Sequence, residues 1–148
     1  MISHDLKSSN QCLKAYASAN KILGMINRTI EKKNSNIMLN LYKSLVRPHM
    51  EYCTAVWSPY YVKDKELIEK IQHRFTKMII EVKHLSYADR LKKLGLWSLE
   101  ERRNRSDLIE VYKMLHGSTS ISYNNFFEIA SDKRTRGHSM TLVKHRFE

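Results

Sequence analysis

Apolar residues recur three and four positions apart along most of this chain, and few glycines or prolines interrupt them. Positions with this spacing share one face of an α-helix. The spacing is clearest at Cys12, Tyr16, Ala19, Leu23, Ile26 and Ile30. Only four glycines and two prolines occur in 148 residues, which leaves little provision for tight β-hairpins. The sequence therefore predicts an all-α fold of five or six helices in a small irregular bundle, with a basic, less ordered C-terminal tail.

Breaker residues predict where the first three helices begin and end. The first helix should begin near residues 8–10 and run to about Arg28, because a polar segment follows it. The second should cover residues 37–46 and end or kink before Pro48, which lacks a backbone donor. A third helix should begin with Asp64 as its N-cap and run to about Val82. Its predicted apolar stripe comprises Leu67, Ile71, Phe75, Met78 or Ile79, and Val82.

Two capping boxes predict the later helices. Ser86 stands three residues before Asp89, and the short helix they open should stop at Gly95. Ser98 stands three residues before Glu101, and that helix should run to about residue 116. Its predicted core face comprises Leu108, Ile109, Tyr112 and Leu115. We therefore expect a helical domain over residues 1–117 and a basic extension over residues 118–148.

The charge of the chain favours a polyanionic partner. Lys and Arg number 26 against 15 acidic residues, which gives a formal net charge of +11. Such an excess on a small domain is typical of nucleic-acid binding, although a membrane surface or plain solubility would also account for it. No apolar run is long enough to span a bilayer and no signal-peptide core is present. Cys12 and Cys53 read as small buried hydrophobes in a reducing compartment, so the expected location is intracellular, nuclear or cytoplasmic.

Catalytic and cofactor signatures are not found in the sequence. None of the seven histidines forms a helical zinc pair, and neither cysteine lies in a ligand cluster. A glycine-rich phosphate loop and a nucleophile elbow are also missing. We expect no enzymatic activity, no cofactor and no metal from these residues.

The basic residues are the remaining candidates for a binding site. Arg102, Arg103 and Arg105 fall in the first turns of a helix, where the helix dipole favours acids. A phosphate partner would explain them, and so would a solvated face partly neutralised by nearby glutamates. The other candidate contacts are Arg74 and Lys77 on the third helix and Arg136 in the tail.

Three aromatic residues admit two interpretations. Trp57, Tyr60 and Tyr61 lie around a proline. They could stack on nucleic-acid bases, or they could form part of the core, as aromatic residues near a proline loop often do.

Two long segments resemble a known family. LYKSLVRPHMEYCTAVWSP, followed by KDKELIEKIQHRFTKMI, is similar to the region downstream of the polymerase palm in non-LTR retrotransposon reverse transcriptases of the Jockey and chicken-repeat-1 type. The likeness continues through LSYADRLKKLGLWSLEERRNRSDLIEVYKMLHG to the tail motif TRGHS. It covers nearly the whole chain.

The resemblance implies a thumb-like helical region that holds RNA or an RNA–DNA hybrid against the palm. The palm of such enzymes carries the catalytic aspartates, which have no counterpart here. Tyr87-Ala88-Asp89 resembles part of their Tyr-X-Asp-Asp turn, but Arg90 replaces the second carboxylate that a two-metal site needs. The segment therefore reads as a helix cap.

Two other outcomes stay open at this point. The chain could be a helical module that binds the missing palm domain or another protein. It could also be a non-functional remnant of a mobile element.

Overall fold

The computed structural model of this chain describes residues 8–130 and 141–143. Within them the protein is all-α, as predicted. Seven α-helices follow one another: α1 (Ser9–Thr29), α2 (Ser35–Leu41), α3 (Pro48–Glu51), α4 (Thr54–Trp57), α5 (Val62–Met78), α6 (Tyr87–Leu94) and α7 (Leu99–Leu115). A π-helical turn, Tyr42–Val46, links α2 to α3, and a 3₁₀ turn occupies Tyr123–Asn125. The described residues contain one isolated antiparallel bridge, between Ile129 and Leu142.

The chain divides into two compact units, residues 1–106 and 107–148. The predicted division at residue 117 lies beyond the end of α7, whereas the observed one lies inside that helix. In the second unit, Tyr112 stacks on His116 with ring centroids 3.9 Å apart. Lys113 forms an ion pair with Glu110 at 2.7 Å.

The core of the first unit forms where α1 packs against α5 and the α2–α3 segment. The predicted stripe of α1 is buried at Cys12, Ala19, Leu23 and Ile26. Opposite it, the Tyr42 and Phe75 rings stack with centroids 4.1 Å apart. Burial of each large apolar side chain contributes about 1.5–3 kcal/mol, so this layer fixes the position of α5.

Pro48 does not end the second helix. The backbone widens into the π-helical turn, after which the Arg47 N–H donates to the carbonyl of Tyr42 at 2.9 Å. Arg47 keeps helical dihedral angles, and Pro48 becomes the first residue of α3. The extra residue in the turn carries the chain past the proline, which has no N–H to donate.

The third predicted helix, α5, begins earlier than its sequence suggests. Tyr61 is the N-cap, and Asp64 lies buried in the first turn. Asp64 is not a cap; instead its Oδ2 accepts a hydrogen bond from Ser9 Oγ at 2.6 Å, which ties α5 to the start of α1. The helix ends at Met78, before the predicted Val82, and it buries Ile68 rather than Leu67.

The predicted capping box at Ser98 is confirmed, and Ser86 is confirmed as the N-cap of α6, although Asp89 bonds to the Ser86 hydroxyl rather than to its backbone N–H. Ser86 Oγ accepts from the Asp89 N–H at 3.3 Å, and Ser98 Oγ accepts from the Glu101 N–H at 3.1 Å. Glu101 Oε2 in turn accepts from the Ser98 N–H at 2.9 Å. Gly95 follows α6 with a φ of 61°, the left-handed conformation that glycine adopts without strain.

Two predictions about burial are wrong. Cys53 is exposed, and it holds a left-handed φ of 54° between α3 and α4. The predicted core face of α7 is also exposed at Leu108, Ile109 and Tyr112, with Leu108 at 70%. Helical periodicity alone does not establish that an apolar face has a covering element.

Candidate nucleic-acid interface

Four exposed basic residues form a stripe along α5. Lys63, Lys70, Arg74 and Lys77, here called the α5 stripe, follow one another at intervals of seven, four and three residues. At 3.6 residues per turn they fall within an arc of about 60° and extend over roughly 21 Å of helix. The buried residues of α5, including Ile71 and Phe75, lie on the other side of the helix.

The acidic residues of α5 leave this stripe predominantly positive. Asp64 is buried against Ser9, and Glu69 bonds to groups of α6 and α7. Glu66 is the exposed acid beside the stripe. Arg74 is positioned from α1, because its Nη1 donates to Asn20 Oδ1 at 2.6 Å.

Arg102 is already paired with an acid. Its guanidinium binds both carboxylate oxygens of Glu51, and the Nη2–Oε2 distance is 3.0 Å. The hydrogen bond to Glu51 raises the pKa of Arg102 above its usual value, although burial opposes this. Arg47 Nε approaches the same carboxylate at 3.5 Å. A phosphate at Arg102 would therefore compete with a carboxylate that already neutralises this guanidinium.

Arg103 is buried in the first unit. Only 3% of the residue is exposed, and Nη1 and Nη2 have no hydrogen-bond partner. Burial lowers the pKa of its guanidinium, against the nearby charges of Glu69 and other acids. A phosphate on the surface cannot touch this group, so burial removes Arg103 from the set of proposed contacts.

The remaining predicted contacts are not all brought together. Arg74 and Lys77 belong to the α5 stripe, whereas the guanidinium carbon of Arg105 lies 5.0 Å from the ring centroid of Trp97. Arg105 is exposed and carries a cation–π contact rather than an ion pair. Arg136 lies outside the described residues.

The aromatic residues around Pro59 separate into two environments. Trp57 is buried and its Nε1 donates to the Tyr52 carbonyl at 2.6 Å. Tyr60 is 86% exposed, and its ring meets Tyr61 edge-on at 5.7 Å. Trp57 is therefore part of the core, whereas Tyr60 and Tyr61 are exposed and could contact a partner.

The structure contains a buried polar network that the sequence did not predict. Gln72 is fully buried; its Oε1 accepts from Tyr42 Oη at 2.7 Å and its Nε2 donates to the Trp97 carbonyl at 2.9 Å. Glu69 accepts from the Tyr87 hydroxyl and, at 3.0 Å, from the Leu99 N–H. Burial raises the pKa of Glu69 despite these bonds. The one sequence feature that could have indicated this network is a glutamine, Gln72, within the apolar stripe of a helix.

The described part of the chain offers no cluster of metal ligands. No three His, Cys, Asp or Glu side chains come together there in a way that could hold a metal ion. None of the helices in residues 8–130 is both long and apolar enough to cross a membrane.

Comparisons with known proteins identify no relative: no family model, curated protein or solved structure matches the chain significantly.

Proposed function

We propose that this chain binds RNA or an RNA–DNA hybrid through the α5 stripe and catalyses no reaction itself. The observation that supports the proposal is the alignment of four exposed cations on one side of a helix whose other side is fixed in the core. A net charge of +11 adds a general attraction for polyanions.

Binding of this kind would be electrostatic and largely independent of base sequence. Lys and Arg neutralise backbone phosphates and release condensed counterions, so affinity falls as salt rises. Each neutralised phosphate contributes roughly −0.7 to −0.9 to the slope of log affinity against log salt. Four contacts therefore correspond to a slope of about −3 to −4.

The resemblance to the region beyond a reverse transcriptase palm supports the choice of ligand. In that setting the chain would act as a thumb, which holds the template and growing strand while a palm carries out polymerisation. The nucleic acid would then be bound by shape and charge, as expected for a surface of three lysines and one arginine that neutralises backbone phosphates.

Fluorescence anisotropy with a short labelled RNA–DNA hybrid tests the proposal. We expect the α5 stripe variant, with Lys63→Gln, Lys70→Gln, Arg74→Gln and Lys77→Gln, to lose most of its affinity and to flatten the salt slope. The control variant carries Lys14→Gln, Lys32→Gln, Lys43→Gln and Lys93→Gln, four exposed lysines elsewhere. It has the same net charge as the stripe variant.

Two results would count against the α5 stripe. An affinity that does not change between about 50 and 200 mM salt excludes a phosphate-dominated contact. An equal loss of affinity in the control variant would mean that net charge, not its arrangement on α5, governs binding.

A second candidate function, protein binding, follows from the exposed apolar residues near α4. Tyr52, Val56, Tyr60 and Val62 are all exposed, with Val62 at 67%. Large exposed apolar side chains within one short segment are typical of an interaction surface. In the thumb-like interpretation its partner would be a palm domain.

This alternative is tested with a separately expressed palm domain of a Jockey-like reverse transcriptase, after nuclease treatment. We expect Tyr60→Ser with Val62→Ser to abolish binding, whereas Tyr112→Ser, at another exposed tyrosine, leaves it unchanged. Equal binding by the wild type and both variants would exclude this surface.

A further inference from the structure

Tyr60 presents an aromatic ring to solvent just before α5 begins. The residue is 86% exposed, the largest fraction among the large apolar and aromatic residues that the structure describes. Tyrosine combines a large apolar ring with a polar hydroxyl, and such rings are common where a protein contacts a partner. The exposed ring therefore needs to be considered together with the groups that hold it.

The backbone on both sides of Tyr60 is anchored. On the N-terminal side, Trp57 and Pro59 are buried. On the C-terminal side, the carbonyl of Tyr61, the N-cap of α5, accepts from the N–H of Asp64 at 3.0 Å. The Asp64 side chain is in turn buried against α1. A ring on an anchored backbone loses less conformational entropy on binding than a ring on a free loop.

Tyr61 joins the exposed ring to the α5 stripe. Its ring meets the Tyr60 ring edge-on, with centroids 5.7 Å apart and an interplanar angle of 80°. The Nζ of Lys63, the first member of the α5 stripe, lies 5.5 Å from the centroid of the Tyr61 ring in a cation–π contact. Because Tyr60 is 86% exposed, these contacts leave most of its ring uncovered. Tyr61 thus places an open aromatic surface and a cation beside each other.

An aromatic ring beside a lysine matches the chemistry of a single nucleic-acid strand. Bases stack on such rings, while the cations neutralise the phosphates between them. Bases inside a duplex are already stacked on their neighbours, so a ring at the protein surface takes a base that is unpaired. The α5 stripe offers phosphate contacts, and Tyr60 adds a contact that only an unpaired base can use.

We propose that Tyr60 stacks on an unpaired base of a strand whose paired part lies along the α5 stripe. The ligand is then an RNA–DNA hybrid with a single-stranded overhang, and the overhang leaves the duplex at the N-terminal end of α5. Tyr61 is a positioning residue, because it supports the Tyr60 ring and holds Lys63 beside it. The inference rests on the proposed function, which it deepens by naming the form of the nucleic acid and its direction on the helix.

Fluorescence anisotropy of the intact chain with blunt and overhanging hybrids tests the stacking contact. We expect a short overhang to raise the affinity of the wild type by roughly 5- to 150-fold over the blunt hybrid, as one stacked base does elsewhere. An abasic overhang keeps the phosphates but has no base to stack, so it should give little of this gain. An equal gain from the abasic overhang would overturn the proposal.

Substitutions at Tyr60 separate stacking from general attraction. Tyr60→Leu should remove the gain from the overhang and leave the affinity for the blunt hybrid unchanged, because no charge is altered. Tyr60→Trp should retain the gain, since an indole also presents an aromatic face. Tyr112→Leu, at another exposed tyrosine, is the control and should behave as the wild type. A Tyr60→Leu variant that keeps the full gain would overturn the proposal and leave the ring to the protein-binding surface considered above.

The two hybrids also distinguish failure of this inference from failure of the proposed function. Binding of the blunt hybrid through the α5 stripe, with no gain from the overhang, refutes the stacking contact and keeps the function. A gain that depends on Tyr60, together with full affinity of the α5 stripe variant for the blunt hybrid, refutes the stripe and keeps the stacking contact. A 2-aminopurine base in the overhang reports stacking directly: its fluorescence should fall with the wild type and not with Tyr60→Leu.

Discussion

The hydroxyl of Tyr87 on α6 donates to Glu69 Oε1 on α5. The other carboxylate oxygen of Glu69 accepts from the N–H of Leu99, the first residue of α7, at 3.0 Å. One side chain thus connects three helices, and it accepts a hydrogen bond from one of the backbone N–H groups that a helix N-terminus leaves without an intrahelical partner. Tyr87 also accepts from Gln72 Nε2 at 3.2 Å, which joins this connection to the buried network.

Tyr87→Phe should destabilise the first unit. The substitution removes the hydroxyl while the partly buried Glu69 and the buried Gln72 remain, so both lose a partner. We expect a loss of about 1–3 kcal/mol in the free energy of unfolding, measured by urea denaturation. Tyr60→Phe, at an exposed tyrosine, is the control and should change stability little. A Tyr87→Phe variant as stable as the control would show that the network contributes nothing net.

Glu69 should make stability depend on pH. Its pKa is raised in the folded state, mainly by burial, so the folded state binds the proton more tightly than the unfolded state. The stabilisation is present below the unfolded pKa and is lost as pH rises through the folded pKa. The Tm of the wild type minus that of Glu69→Gln should therefore decrease between about pH 4 and pH 7.

The control for this measurement is Glu81→Gln, at an exposed carboxylate outside the helices. A Tm difference for Glu69→Gln that stays constant with pH, or that grows towards neutrality, would contradict the assigned direction of the Glu69 shift.

Adjacent arginines of α7 should respond in opposite ways to the same substitution. Arg102→Met removes both hydrogen bonds from Arg102 to Glu51, leaving Glu51 with Arg47 alone, and should destabilise the first unit by about 1–3 kcal/mol. Arg103→Met replaces a buried, unpartnered cation by an apolar side chain of similar volume, which is often neutral or stabilising by about 1–4 kcal/mol. Thermal unfolding of the two variants decides the point, and a large loss of stability for Arg103→Met would reveal a partner that Arg103 needs.

At position 53 a glycine should give a more stable protein than an alanine, which is the reverse of their order within helices. Its φ of 54° places the Cβ against the backbone, at a cost of about 1–2 kcal/mol for residues other than glycine. We expect Cys53→Gly to be more stable than Cys53→Ala by about 1 kcal/mol. Chemical denaturation of the pair measures the difference; equal stabilities would mean that the local backbone relaxes to a negative φ.

Local signals predicted the parts of the fold that depend on neighbouring residues. Ser86, Ser98 and Gly95 act within one turn of their own helix, so their roles can be read from the sequence. Pro48 by itself predicts an end or a kink of the helix, and it does not indicate that the chain continues through a π-helical turn with Val46 and Met50 both buried. The burial of Gln72 depends on Tyr42 and Tyr87, which are distant in sequence.

Only part of the candidate site was predicted, because some of its residues depend on neighbouring positions and others on distant helices. Arg74 and Lys77 follow from helical periodicity, and Lys63 and Lys70 complete the stripe once the bounds of α5 are known. Arg102 and Arg103 resemble each other in sequence, yet their different directions from the helix place the first against Glu51 and the second in the interior. Which arginine of a cluster reaches solvent depends on the helices around it.

The same 17-residue helix carries the α5 stripe and a large share of the core. An inserted or deleted residue within α5 would rotate everything beyond it by about 100° relative to the core. The charges could then no longer stay aligned while Phe75 and Ile79 remain buried. Substitutions can vary the strength of this surface, but changes in chain length are tolerated only in connections such as residues 30–34.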